Sequence, residues 1–240
     1  MMKVEIWSDY VCPFCYIGKR KFEHALEKFA HKDDIEVVFR SFELDPGARA
    51  DSQVSTYDML AKKYGMSIEQ AKANTANIVE QGALVGIPFQ FDGTVETNTF
   101  DAHRLVQYAT EQGKGKELSE RLFKAYFSEG QNVGNREILT ALSAEVGLDA
   151  EETAEVLASS RYADVVRKEE EEGSRLGIRG VPFYVFDRKY AVSGAQATEV
   201  FMETLEKAWE EKHPSFIQVN GQSDDAVCTD GACVPKTSKE

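Results

Sequence analysis

The spacing of apolar residues changes twice along this chain, and the changes divide it. Val4-Glu5-Ile6-Trp7 reads as a short strand. From Phe14 the period becomes helical. Tyr16, Ile17, Phe22, Leu26 and Phe29 recur on one face, and Lys19, Arg20 and Lys21 fall mostly on the other, which predicts a helix over 14–29. A second strand is predicted over 35–40, so the segment reads as one βαβ unit with parallel strands and a right-handed crossover. Residues 42–47 then end regular structure. From 55 to about 176 almost every periodic segment is helical: 56–64, 68–85, 98–109, 116–127, 136–146, 151–158 and 162–176. Gly65 stops the first, and Asn98 with Asp101 three residues on reads as the N-cap signal of the third. Asn132-Val133-Gly134 and Gly147-Leu148-Asp149 supply later breaks. Residues 183–186 and 190–192 predict a hairpin turning through Asp187-Arg188-Lys189, and a last helix over 198–212 ends before Pro214.

The order is therefore βαβ, a long all-helical stretch, then ββα. Strands from both ends can complete one sheet, with the helices between them packed as a lid. This predicts a discontinuous domain of residues 1–47 and 177–214, a helical insertion domain of residues 48–176, and a flexible tail of residues 215–240. The tail's Asn220-Gly221-Gln222-Ser223-Asp224-Asp225 run is too polar and small to order itself alone.

At the junction of the first strand and helix stands Cys12-Pro13-Phe14-Cys15. Two cysteines two residues apart in that context read as a thiol–disulfide active site. Pro13 suits the first helical position, because its φ is preset and its missing N–H would have been unpaired anyway. The free amides and positive dipole end of the helix favour a thiolate at Cys12. Cys15, one turn further in, is placed to attack a mixed disulfide on Cys12. Half of a zinc site is the competing reading, but such sites usually show a second close ligand pair. A second feature is Gly180-Val181-Pro182-Phe183, with proline opening an apolar run where a strand tolerates it. On base rates alone the Val181–Pro182 bond is trans, since cis is roughly a 5–6% event before proline.

The 240 residues suffice for one large domain or two intimate ones, and 42% hydrophobic with 29% charged residues is an ordinary globular composition. No stretch is apolar enough to span a bilayer, and Met1-Met2-Lys3 leads straight into the first strand, so a cytoplasmic location is the expectation. Four cysteines in that compartment point to reactive or metal-binding thiols more than to structural disulfides. A net charge of −13 argues against nucleic acid and anionic membrane as partners. The Glu169-Glu170-Glu171-Glu172 run reads as a solvated helix face, with Val165, Val166 and Leu176 on its buried side, since calcium loops need turn residues between carboxylates.

Together, the run from Ser8 to Gly18 around Cys12-Pro13-Phe14-Cys15, the Gly180-Val181-Pro182-Phe183 segment and Ala191-Val192-Ser193-Gly194-Ala195-Gln196 resemble the DsbA-like thioredoxin-fold oxidoreductases, nearest their FrnE-type dithiol–disulfide isomerase branch. The resemblance implies an α/β thioredoxin fold carrying the helical insertion. It also implies a nucleophilic Cys12, a resolving Cys15, a cis Pro182 beside them, and a Val181 backbone that binds peptide or thiol. Pro13-Phe14 differs from the Pro-His of the strongly oxidising members, which argues against strong oxidase character. No cofactor and no resident metal are expected. The expected partners are disulfide- or thiol-containing proteins or peptides, with glutathione as a further candidate.

Other residues carry weaker signals. Trp7, Tyr10, Pro13 and Phe14 are candidates to line a substrate groove, although core or wall is the plainer role for Trp7 and Tyr10. Asp9 reads first as a turn or capping residue and second as a group tuning a thiol. His24 and His103 lie on predicted helices without ligand-spaced partners on their own helix. Asn98, His103 and Arg104 are kept because a related branch, the glutathione-dependent isomerases and kappa-class transferases, completes its site from the helical domain. Phe89 and Phe91 read as helix-domain core. Cys228 and Cys233 in the tail admit three readings: a local disulfide, a redox relay with Cys12 and Cys15, or a four-cysteine zinc site. The leading expectation is a thiol–disulfide oxidoreductase or isomerase. The alternatives are a glutathione-dependent enzyme acting on a small aromatic or polyketide-like molecule, and a zinc-binding chaperone or thiol sensor.

Overall fold

A computed structural model describes residues 1–214 of the chain. Cys228 and Cys233, with every expectation placed on the tail, lie outside the described residues. Strand β1 (Met2–Ser8) pairs in parallel with β2 (Ile35–Ser41) and antiparallel with β3 (Phe183–Phe186), which pairs antiparallel with β4 (Tyr190–Ser193). The order β2-β1-β3-β4 makes β1 a central strand, so strands from both chain ends share one mixed sheet. The hairpin turns where Asp187 and Arg188 take positive φ.

Because β1 is central, both of its faces are covered. Met2, Val4 and Ile6 pack with Phe22 and Ala25 of α1 (Pro13–Lys28), with its C-cap Phe29, and with Phe201, Leu205 and Ala208 of α9 (Thr198–Lys212). Glu5 and Trp7 point the other way and are also buried. Seven helices separate β2 from β3. They are α2 (Thr56–Tyr64), α3 (Ile68–Ala83), α4 (Phe100–Glu111), α5 (Gly115–Glu129), α6 (Arg136–Glu145), α7 (Ala150–Ala158) and α8 (Ala163–Arg175). This is a thioredoxin fold with a helical insertion, as the resemblance implied. Side-chain caps on Ser55, Ser67, Asn135 and Asp149 set four of the helix starts. The main insertion core joins Leu105, Leu118, Leu122, Phe123, Leu139 and Val156, and Phe89 and Phe91 belong to it as expected. By contrast α2 fully buries only Thr56, and α3 only Ala71, Thr75 and Gly82. Among the described residues no helix is long and apolar enough to cross a membrane.

Four expectations change. Asn98 does not cap α4 as N-cap. That position is Thr99, without a side-chain bond, and Asn98 Oδ1 instead accepts from the Phe100 N–H in a local turn. Lys19 is buried on the α5 side of α1, where Glu120 at 2.5 Å and Glu23 at 2.7 Å compensate its charge. The buried side of α8 is Val166, Glu169 and Gly173, whereas Val165 and Leu176 are exposed. Glu169 is thus no solvated residue. Its carboxylate accepts from Arg40 at 2.8 Å, from the Ser41 N–H at 2.8 Å and hydroxyl at 2.7 Å, and from Gln107 at 2.8 Å. Its carbonyl accepts from the Trp7 indole at 3.0 Å. Gly173 lets the helix sit this close, because a Cβ there would lie 2.9 Å from the Trp7 indole nitrogen. Helical period cannot show this: a carboxylate is buried when enough donors converge on it, and these come from β2 and α4. Glu169→Ala leaves those donors unpaired and is expected to lower unfolding free energy by about 3 kcal/mol, read by urea denaturation.

Candidate active site

Helix α1 begins at the carboxyl end of the central strand, so its first turn faces the surface between sheet and insertion. Residues 9–12 form the connecting turn, closed by the Cys12 N–H donating to the Asp9 carbonyl at 3.1 Å. Cys12 is the N-cap residue, with extended backbone, and Pro13 follows at the first helical position. The Cys15 and Tyr16 N–H groups both donate to the Cys12 carbonyl. Both thiols are free. Gly18, one turn on, lets α1 approach β3, because a Cβ there would lie 2.5 Å from the Tyr184 hydroxyl and 3.2 Å from Pro182.

The segment after α8 brings Val181 and Pro182 across to this turn. The Val181–Pro182 peptide is cis, as the family resemblance implied and base rates did not. The Cys12 thiol donates to the Val181 carbonyl at 3.6 Å. Cys12 and Val181 also border a cavity of about 690 Å³, walled by Met59, Leu60, Met66 and Ile78 of the α2–α3 region and by Phe91, Tyr126 and Phe127. That volume suits a drug-sized ligand or a few peptide side chains. Pro13 and Phe14 border it too, with Phe14 at 41% exposure on its rim. Lys63 is the one cation among the lining residues, against Asp45 and Glu96.

Cys15 does not border the cavity and is 2% exposed. Burial holds its thiol well above the ordinary range, and the hydrogen bond and charge of Cys12 add to the effect. The polar groups of Ser8 and of the Asp9 main chain act against this in a smaller measure.

Of the other candidates, Trp7 lies on the opposite face of the sheet under α8 and does not border the cavity. Tyr10 is buried in the insertion core, its ring tilted against His103 and Phe123 and its hydroxyl on Ser119 at 3.2 Å. Asp9 makes a turn through its carbonyl, but its side chain caps nothing on α1. Its Oδ2 accepts from the Leu44 N–H at 2.7 Å, and its Oδ1 faces His103 Nε2 at 3.5 Å. Arg104 is spent on Asp101 and on the carbonyls of Val156, Ser159 and Arg161, which fastens α4 to α7. Asn98 reaches Glu43 and the Pro46 carbonyl. Sequence reasoning missed the α2–α3 wall, since half-exposed Met59, Leu60 and Ile78 look like any amphipathic stripe.

A model of the DsbA-like thioredoxin domain matches residues 3–206. The chain belongs to the DsbA-like thioredoxin family. Oxidoreductase or isomerase chemistry on thiols goes with that family. Over 204 residues the chain is 30% identical to the uncharacterized protein YwbO of Bacillus subtilis (strain 168), covering 84% of this chain and 94% of the relative. The crystal structure of SCO1869 from Streptomyces coelicolor, a probable DsbA oxidoreductase, superposes with a TM-score of 0.84 at 44% identity, covering 98% of this chain and 100% of that one. The cytosolic disulfide reductase DsbM from Pseudomonas aeruginosa, solved with glutathione, shares the fold at a TM-score of 0.62 and 18% identity, covering 87% of this chain and 99% of that one.

The buried ionisable groups of this DsbA-like chain give it an alkaline weakness. Burial raises Cys15, Tyr10 and Tyr184, and pushes Tyr126 up to about 12. The unfolded chain therefore loses these protons first as pH rises. Their contribution to stability is complete below the ordinary thiol value of roughly 8.5 and declines from there toward the folded values. Thermal unfolding is expected to show a Tm that holds up to about pH 8.5 and falls above it.

Proposed function

We propose that the protein is a thiol–disulfide oxidoreductase of peptide substrates, with Cys12 as the attacking sulfur and Cys15 as the resolving one. The observation that carries this reading is the unequal access of the two thiols. Cys12 forms part of the cavity wall, and Cys15 lies sealed one helical turn beneath it. The Cys12 thiolate attacks a substrate disulfide, forming a mixed disulfide and releasing one substrate thiolate. Cys15 then attacks Cys12, the substrate's second sulfur departs and takes up the proton, and two electrons have passed from the dithiol to the substrate. If an internal substrate thiol attacks first, the same mixed disulfide leads to isomerisation. A cytoplasmic location belongs to this reading, in which a cellular dithiol restores the reduced pair.

The test is reduction of a peptide disulfide with dithiothreitol as electron source. Cys12→Ser is expected to fall to the uncatalysed rate, and Cys15→Ser to accumulate a mixed disulfide on Cys12, seen as added mass. Normal turnover by Cys12→Ser overturns the proposal.

The cavity favours apolar flanks beside the reacting disulfide. Aromatic and aliphatic side chains make up much of its wall, and among its charged lining residues one lysine stands against two carboxylates, a poor match for the two carboxylates of glutathione. Peptide disulfides flanked by leucine or phenylalanine are expected to exceed glutathione disulfide in kcat/KM by about tenfold or more, the usual worth of one well-seated apolar group. Ile78→Asp should erase most of that preference and leave glutathione disulfide turnover unchanged.

A further inference from the structure

One carboxylate in the cavity wall has no cation to answer it among the described residues. Glu96 follows Val95, which bridges to Ser55 and whose carbonyl accepts from the Tyr126 hydroxyl at 2.8 Å. The Glu96 N–H donates to the Val54 carbonyl at 2.9 Å. The Ser52 hydroxyl, on a residue 8% exposed, accepts from the Val54 N–H at 3.2 Å and donates to Glu96 Oε2 at 3.3 Å. Backbone and side chain are thus both tied, and this half-buried carboxylate borders the same cavity as Cys12. Its Oε1 has no hydrogen-bond partner among the described residues and is not sealed from solvent. Lys63, the lysine of the lining, is exposed on α2 and pairs with neither Glu96 nor Asp45.

Elsewhere the chain does not leave glutamates unanswered when it buries them. Glu5 meets Arg40 and Arg188, Glu43 meets Arg167, and Glu169 meets Arg40. Glu96 differs, and it stands where the substrate enters. A carboxylate in a largely apolar cavity gains most from a partner that brings the missing charge on an apolar stem. Lysine and arginine side chains have that form: their methylenes lie along apolar surface while the charged head reaches a polar group. Phe91 and Tyr126, which border the same cavity, add aromatic faces that attract a cation.

We propose that Glu96 is a specificity-determining residue, which takes the ammonium or guanidinium of a lysine or arginine near the reacting cysteine of a peptide substrate. The proposal deepens the disulfide-exchange reading and rests on it. Oε1 accepts the charged hydrogen bond, and Ser52 keeps Oε2 in place. The apolar walls take the stem of that residue and a neighbouring leucine or phenylalanine, so the two preferences reinforce each other. A net charge of −13 attracts any cation from a distance, but that attraction fades with salt and does not depend on which acid supplies it. A subsite depends on Glu96 alone.

The test uses apolar-flanked peptide disulfides of one sequence that differ only in carrying lysine, glutamine or glutamate near the cysteine. Their reduction is followed with dithiothreitol as electron source at about 0.15 M ionic strength, where distant charges are largely screened. The lysine peptide is expected to exceed the glutamine peptide in kcat/KM by about tenfold, the effect of one hydrogen bond to a charged group, and the glutamate peptide to fall below both. Glu96→Gln keeps the shape and the Ser52 bond and should bring the lysine-to-glutamine ratio to about one. Glu96→Lys should reverse the order in favour of the glutamate peptide. If the glutamine variant does not fold, Glu96→Ala replaces it. Glu206→Gln removes the same charge from an exposed position on α9 and should keep the wild-type ratio. A wild type without the lysine preference, a preference that survives in Glu96→Gln, or one lost as fully in Glu206→Gln overturns the inference. Failure of the exchange reading shows differently, as no reduction of any of the peptides and no mixed disulfide on Cys12 in Cys15→Ser.

Discussion

A single carboxylate holds the two halves of this protein in register. Glu169 sits on the last helix of the insertion and takes hydrogen bonds from β2, through Arg40 and Ser41, and from α4, through Gln107. Its own carbonyl receives the indole of Trp7 from the central strand. Helix α8 runs directly into the segment that carries Val181 and Pro182, so where Glu169 is pinned decides where Val181 meets Cys12. The charge is tolerated because four donors share it, and Arg40 is itself shared with Glu5, which Arg188 also reaches. The geometry of the redox turn thus depends on an ion network on the far face of the sheet.

Much of this was legible in the chain. The βαβ opening, the run of helices, the hairpin and the closing helix follow from period and punctuation, with boundaries shifted by one or two residues in most cases. Cys12, Cys15 and Pro182 carry their context with them: a strand before, a helix after, a proline at a strand entrance. What could not be read are relations that belong to no segment alone. Glu169 lies in a run of four glutamates that looks solvated. Lys19 lies in a basic run that looks exposed. Each is buried because a partner arrives from more than 90 positions away. The same holds for Asp9 and His103, unremarkable apart and adjacent in the fold.

The site is built on unequal access to the cavity, since both thiols are buried but only Cys12 borders it. Cys12 shares its wall with the cavity, whereas Cys15 lies in a dry setting that favours its protonated form. Under the proposed exchange such an arrangement orders the two steps without any moving part, since only one sulfur borders the cavity.

The shallow seating of α2 and α3 carries a consequence for descent with modification. This helical hairpin supplies much of the cavity wall, yet what it buries completely is one threonine on α2 and an alanine, a threonine and a glycine on α3. Replacing its inward residues costs the core little, while replacing those of α1 or β1 disturbs everything around them. Lineages that inherit this scaffold can therefore retarget it by rewriting some thirty positions and leave the electron-transfer machinery untouched.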